Sequence, residues 1–242
     1  MKFKRFLFFS IVLIMGAGIA SFDCKKQNAD SLSGAWQMND NNGMQVILVA
    51  DGYFTYTAYD KEGKKFILTR GGSFSLNNNK LTVQYEFDSK TKEQVGQSAT
   101  YQISINGNKL TININEREES WERIGDGKSG LSGLWKITAR KQGDSLQPIH
   151  QTGTRKTVKI LSSTRFQWVA IDPGTKSFMG TGGGTYTFKD GKYTENIEFF
   201  SRDSSRVGSS LSFNGKLENG DWHHSGLSSR GDPIYEVWSR RK

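Results

Sequence analysis

The chain has 242 residues, 33 Lys and Arg against 24 Asp and Glu, a formal charge of +9 and one cysteine. Its 27 glycines follow no strict period, which excludes a fibrous protein, and the single cysteine excludes a disulfide scaffold. Aromatic residues at 12% exclude wholesale disorder, and the length suits one large or two small all-β domains.

Residues 1–23 read as a leader. Lys2, Lys4 and Arg5 precede an apolar run from Phe6 to Ala20, too short for a stable bilayer span and suited to a secretory signal peptide. Gly18-Ile19-Ala20 supplies small residues for cleavage after Ala20. Cys24 follows, and resembles the lipid-bearing cysteine of a bacterial lipoprotein, although Asp23 is a poor residue before it. The expectation is an exported chain in the periplasm, at the outer membrane or on the cell surface, touching membrane only through such an anchor. With no cysteine beyond Cys24, thiolate metal sites and redox chemistry in the globular part are excluded.

An internal repeat organises the rest. Leu32-Ser33-Gly34-Ala35-Trp36 recurs as Leu131-Ser132-Gly133-Leu134-Trp135, and an offset of 112 aligns 52–101 with 164–213 without a gap. The shared residues include Phe54/Phe166, Phe66/Phe178, Gly72/Gly184, Glu86/Glu198 and Phe87/Phe199. Each copy closes on Trp-x-Arg, Trp121 to Arg123 and Trp238 to Arg240. The spacing predicts two domains, 32–124 and 131–242, joined by a linker at 125–130. The second carries an insertion around Gln142 to Thr154, expected as a longer loop.

Apolar residues alternate with period two in both copies: Phe54, Tyr56 and Ala58; Phe166, Trp168 and Ala170; Leu81, Val83, Tyr85 and Phe87; Tyr193, Ile197 and Phe199. Asn78-Asn79, Asp190-Gly191 and Asn106-Gly107 are tight-turn pairs. Seven or eight strands per copy at hairpin spacing favour closed up-and-down barrels, because closure removes exposed edges.

Gly-x-Trp on a first strand with Arg on the last resembles the signature of lipocalin-like barrels of the calycin superfamily. It occurs here as Gly34/Trp36 with Arg123 and Gly133/Trp135 with Arg240. The resemblance implies that each Trp plugs a closed barrel end with the Arg packed across it, so these six residues are structural. In the second copy, Gly184-Thr185-Tyr186, Tyr193 to Ile197, Trp222 and Glu236 to Arg240 resemble a family of bacterial exported lipocalin-like proteins without an assigned biochemical function.

Glu195 stands on the apolar face of its strand where the first copy has Val83. A carboxylate among aromatics needs a partner. It is the candidate polar anchor of a cavity walled by Phe166, Trp168, Tyr186, Phe188 and Tyr193, with Trp222 and His224 beside it; a plain barrel core is the alternative. Adjacent His223 and His224 point to opposite strand faces, and His150 is the only other histidine, so no metal site is expected. Gly127-Lys128-Ser129 lacks the rest of a phosphate loop, and no Gly-x-Ser-x-Gly elbow supports a hydrolase. Gly180 to Gly184 reads as close strand packing rather than a dinucleotide loop.

Residues 32–124 hold 10 basic and 11 acidic side chains, whereas 131–242 hold 17 and 10. The basic second domain could attract an envelope polyanion; nucleic acid is not expected. The expected function is a non-enzymatic binding protein, without cofactor, for a small, largely apolar molecule. The alternative is a cell-envelope interaction scaffold with filled barrel cores. A void of about 300 Å³ or more favours the first.

Overall fold

A computed structural model describes residues 28–40, 43–149 and 152–240. The leader, Cys24 and His150 lie outside the described residues. A short helix, Ala29–Leu32, precedes β1 (Gly34–Asp40), β2 (Gly43–Ala50), β3 (Tyr53–Asp60), β4 (Lys65–Asn77), β5 (Lys80–Asp88), β6 (Ser98–Asn106), β7 (Lys109–Ile114) and β8 (Arg117–Gly125). These eight strands close an antiparallel barrel through pairing of β1 with β8.

The second half repeats the arrangement with β9 (Gly133–Gln142), β10 (Ser145–Pro148), β11 (Lys156–Leu161), β12 (Arg165–Asp172), β13 (Ser177–Lys189), β14 (Lys192–Phe200), β15 (Ser210–Glu218), β16 (Asp221–Leu227) and β17 (Pro233–Arg240). Pairing of β9 with β17 closes it. The expectation of tandem up-and-down barrels is borne out. Part of the insertion is not loop: β10 folds back on the outer end of β9, extending that strand into a hairpin beyond the barrel rim.

The local causes match the residues. Asn78-Asn79 and Asp190-Gly191 adopt the left-handed conformation at both positions, the requirement of a two-residue hairpin turn. The indole N–H of Trp36 donates to Leu32 O and that of Trp135 to Leu131 O, each at 2.8 Å. The Arg123 guanidinium lies 3.9 Å from the Trp36 ring centroid, and that of Arg240 lies 4.5 Å from Trp135. Arg123 also donates to the carbonyls of Ser33 and Ser31. Gly34 and Gly133 have φ of +125° and +145°, and a β-carbon on Gly133 would collide with the Arg240 guanidinium. Each barrel is thus stoppered at one end by the same indole, arginine and glycine.

One strand in each barrel, β5 and β14, departs from simple alternation. Gly72 pairs with Tyr85 and Gly71 with Phe87, leaving Glu86 as a bulge; Gly184 pairs with Ile197 and Gly183 with Phe199, leaving Glu198. Tyr85 and Ile197 therefore stay inside their barrels, while Phe87 and Phe199 turn to the outer face. This corrects the expectation that Phe87 and Phe199 share a face with the residues two before them. A β-carbon on Gly72 or Gly184 would meet the bulged backbone, so glycine is required there.

The outer faces of the barrels are packed against each other. Val46, Leu48, Tyr59 and Phe87 form one buried cluster with Val158, Ile160, Ile171 and Phe199. These pairs are related by the repeat offset, and Phe66 stacks on its own repeat mate Phe178 with 6° between planes. The interface is a pseudo-twofold in which β4 meets β14 and β5 meets β13. Its polar part is asymmetric. Glu198 accepts from Arg165 at 2.6 Å, from Tyr59 of the first barrel at 2.7 Å and from Lys61 at 3.2 Å. Burial opposes ionisation of Glu198, but Arg165, Tyr59 and Lys61 outweigh it and hold its pKa below the usual range. Gln167 donates to both Thr69 and Thr181, one from each barrel.

Candidate ligand-binding site

The second barrel contains a cavity of about 460 Å³ that opens at the end away from Trp135. Ile137, Trp168, Leu211, Phe213, Ile234 and Trp238 line its walls. Ile149, from the inserted segment, and Ser228 and Ser229, from the turn after β16, also line it. The first barrel holds only about 160 Å³ in the equivalent place. There Tyr85 bonds Tyr101 at 2.7 Å, and Arg70 lies over the Tyr56 and Tyr85 rings. The second barrel has Ile197, Phe213 and Gly182 at those positions, so its upper part is hollow. A cleft of about 610 Å³ beside Trp121 is a broad surface depression edged by Asn106, Asn108 and Lys109.

Glu195 lines the cavity at 4% exposure, and it is paired: Lys159 Nζ donates to its Oε1 at 2.8 Å. Lys159, at 3% exposure, lies 5.0–5.8 Å from the ring centroids of Phe166, Tyr193, Trp222 and Trp238. The ammonium is thus held by a carboxylate and the faces of four rings. The first barrel has Ile47 and Val83 at these two positions, so the repeat itself shows that the fold does not need the ion pair. A second charged pair stands higher. Glu236 accepts from Arg140 at 2.6 Å and from the Trp238 indole N–H at 3.1 Å. Burial works against the Glu236 charge, but His224, Lys159 and Arg140 bring its pKa down to about 2.

His224 is 3% exposed and lines the cavity, whereas His223 turns outward and bonds the Tyr235 hydroxyl at 2.9 Å. Among the described residues Nε2 of His224 has no hydrogen-bond partner, and Nδ1 faces Glu236 Oε2 at 3.5 Å. Burial holds the imidazole pKa below its ordinary value in spite of Glu236. Among the described residues no group of three or more His, Cys, Asp or Glu could hold a metal ion.

Of the residues singled out in sequence, Glu195, Trp168 and His224 meet at the cavity. Phe166, Tyr186, Tyr193 and Trp222 lie beneath it in the packed plug, where Tyr193 touches Trp222 edge-on at 4.8 Å and Tyr186 donates to Ser162 O. They support the floor rather than line the void. Lys159, Arg140, Arg155 and Glu236 belong to the site and were not singled out. The available signal was the repeat: Lys159 aligns with inward-facing Ile47 and is flanked by Val158 and Ile160 on the other face.

Two closed eight-stranded barrels, each stoppered by Gly-x-Trp and a stacked Arg, make the chain a tandem lipocalin-like β-barrel protein. Residues 23–112 match the model of the lipocalin-like domain, and residues 130–242 match that of a domain of unknown function, DUF4488. No curated protein matches the chain in sequence. Among solved structures it is similar to the vaccine antigen transferrin binding protein B, mutant Trp-176-Ala, from Haemophilus parasuis Hp5, at 8% identity and a TM-score of 0.23. That alignment covers 86% of this chain and 63% of the other. Among the described residues no helix is long and apolar enough to cross a membrane.

Proposed function

We propose that the protein is a non-enzymatic binding protein that takes a small, largely apolar molecule into the second barrel. The carrying observation is the contrast between two copies of one fold. The first barrel is filled by Tyr85, Tyr101 and Arg70, while the second is open to about 460 Å³. Burial of ligand methylenes against the wall supplies the driving force, about 0.8 kcal/mol each. The paired charges of the floor exclude a fully apolar fit and set the ligand's orientation. Grafting the first barrel's filling tests this: Ile197→Tyr/Phe213→Tyr is expected to lower dodecanoate affinity at least tenfold by calorimetry. Unchanged affinity would move the site elsewhere.

The leader sequence supports export, and Cys24 supports a lipid anchor in the envelope. Cys24→Ala is expected to shift the protein from the membrane to the soluble fraction on cell fractionation. A wild-type protein already soluble would remove the anchor. The scaffold alternative draws support only from the first barrel, whose interior is nearly filled.

A further inference from the structure

The floor of the cavity defines the group that enters first, on the reading that the second barrel binds an apolar molecule. Glu195 has two carboxylate oxygens, and only one is used: Lys159 Nζ bonds Oε1 at 2.8 Å. The Tyr193 hydroxyl, the Trp222 indole N–H and His224 Nε2 are sealed in the packed interior without a hydrogen bond, but Glu195 Oε2 is not sealed with them. It has no hydrogen-bond partner among the described residues, so it opens to the cavity that Glu195 lines. A carboxylate oxygen only accepts. Solvent bonds such an oxygen in an open cavity, and an apolar ligand that displaces the solvent must replace that bond or leave the oxygen unpaired.

Local charge supplies the second feature. Glu195 and Lys159 are 4% and 3% exposed, line the cavity floor and cancel each other. The pair above them, Arg140 and Glu236, cancels as well. A ligand anion at the floor would face Glu195 and a ligand ammonium would face Lys159, each adding an uncompensated charge to a buried site. A neutral donor adds none. Above the floor the walls are apolar, with Ile137, Trp168, Leu211, Phe213 and Ile234. The first barrel has Ile47 and Val83 in place of the pair, and neither side chain offers an acceptor.

We infer that the ligand is a neutral apolar alcohol, with its hydroxyl donating to Glu195 Oε2 at the floor and its hydrocarbon body lying along the wall towards the mouth.

Calorimetric titration of the full chain with 1-decanol, its isomer methyl nonyl ether and decylammonium tests this. The two isomers contain the same atoms, but the ether has no hydrogen to donate. Wild type is expected to bind 1-decanol about tenfold or more tighter than either of the others. The double variant Glu195→Val/Lys159→Ile is expected to bind the two isomers alike. Retention of the alcohol preference in that variant would overturn the Glu195 assignment. Equal wild-type affinity for the isomers would overturn the alcohol assignment while leaving the binding function standing, and this comparison needs no variant to fold. Tighter binding of decylammonium than of 1-decanol would overturn the neutral head group. Failure of all three probes to bind would overturn the binding function itself, and this inference with it.

Discussion

Glu195→Val is expected to destabilise the protein by about 3–5 kcal/mol, although valine is the residue the first barrel carries at the same place. The substitution leaves the Lys159 ammonium buried without its carboxylate, and four ring faces cannot replace a counterion. Adding Lys159→Ile completes the first barrel's pair, Ile47 and Val83, and is expected to restore stability to wild type or exceed it. Chemical denaturation of the four proteins of this cycle measures the coupling. Additive losses, with the double variant the least stable, would show that the pair is not the reason for the cost. The same cycle bears on ligand assays: Glu195→Val alone confounds affinity with folding, and the double variant separates them.

The second large effect is expected at the contact between barrels. Glu198→Ala removes the acceptor shared by Arg165, Tyr59 and Lys61, and leaves the Arg165 guanidinium, 10% exposed, facing the Tyr59 hydroxyl. The cost is expected at about 3–5 kcal/mol. Glu86, the identical residue in the first copy, binds Lys156 and Tyr53 in a wetter setting, so Glu86→Ala is expected to cost clearly less. One apolar cluster draws on both barrels, so wild type is expected to melt in a single calorimetric transition and Glu198→Ala to separate it into two. Equal costs for the two variants, or two transitions in wild type, would contradict a fused interface.

The barrels were legible because their determinants are local and repeated. Gly34/Trp36 and Gly133/Trp135 announce a first strand, Arg123 and Arg240 a last one, and period-two runs with turn pairs fill the interval. The inter-barrel face was not read, although β3 carries a sign of it. Tyr53, Thr55, Thr57 and Tyr59 alternate with Phe54, Tyr56 and Ala58, so both faces of that strand suit burial. Alternation separates the two faces but does not say what covers the second. The bulges at Glu86 and Glu198 then exchange faces within a strand, which moved Phe87 and Phe199 from barrel interior to interface.

At the site, Glu195 was legible because a carboxylate on an apolar face stands out. Its partner was not. Lys159 sits between Val158 and Ile160, and a lysine flanked by aliphatic residues reads as the solvated side of a strand. Here the aliphatic side is the covered interface, so the lysine is the residue that points inward. Depth along the barrel was also beyond reach. Tyr186 and Tyr193 alternate correctly, but their distance from the closed end, set by pairing with Thr164 and Phe213, makes them plug rather than wall.

The claim that one barrel of the two is the receptor is tested most directly by nuclear Overhauser contacts between bound decanoate and methyl-labelled side chains of the full chain. Contacts to Ile137, Leu211 and Ile234 of the second barrel are expected, and none to Leu81, Ile112 and Ile114 around the smaller void of the first. Contacts confined to the first barrel's methyls, or to neither set, would contradict it.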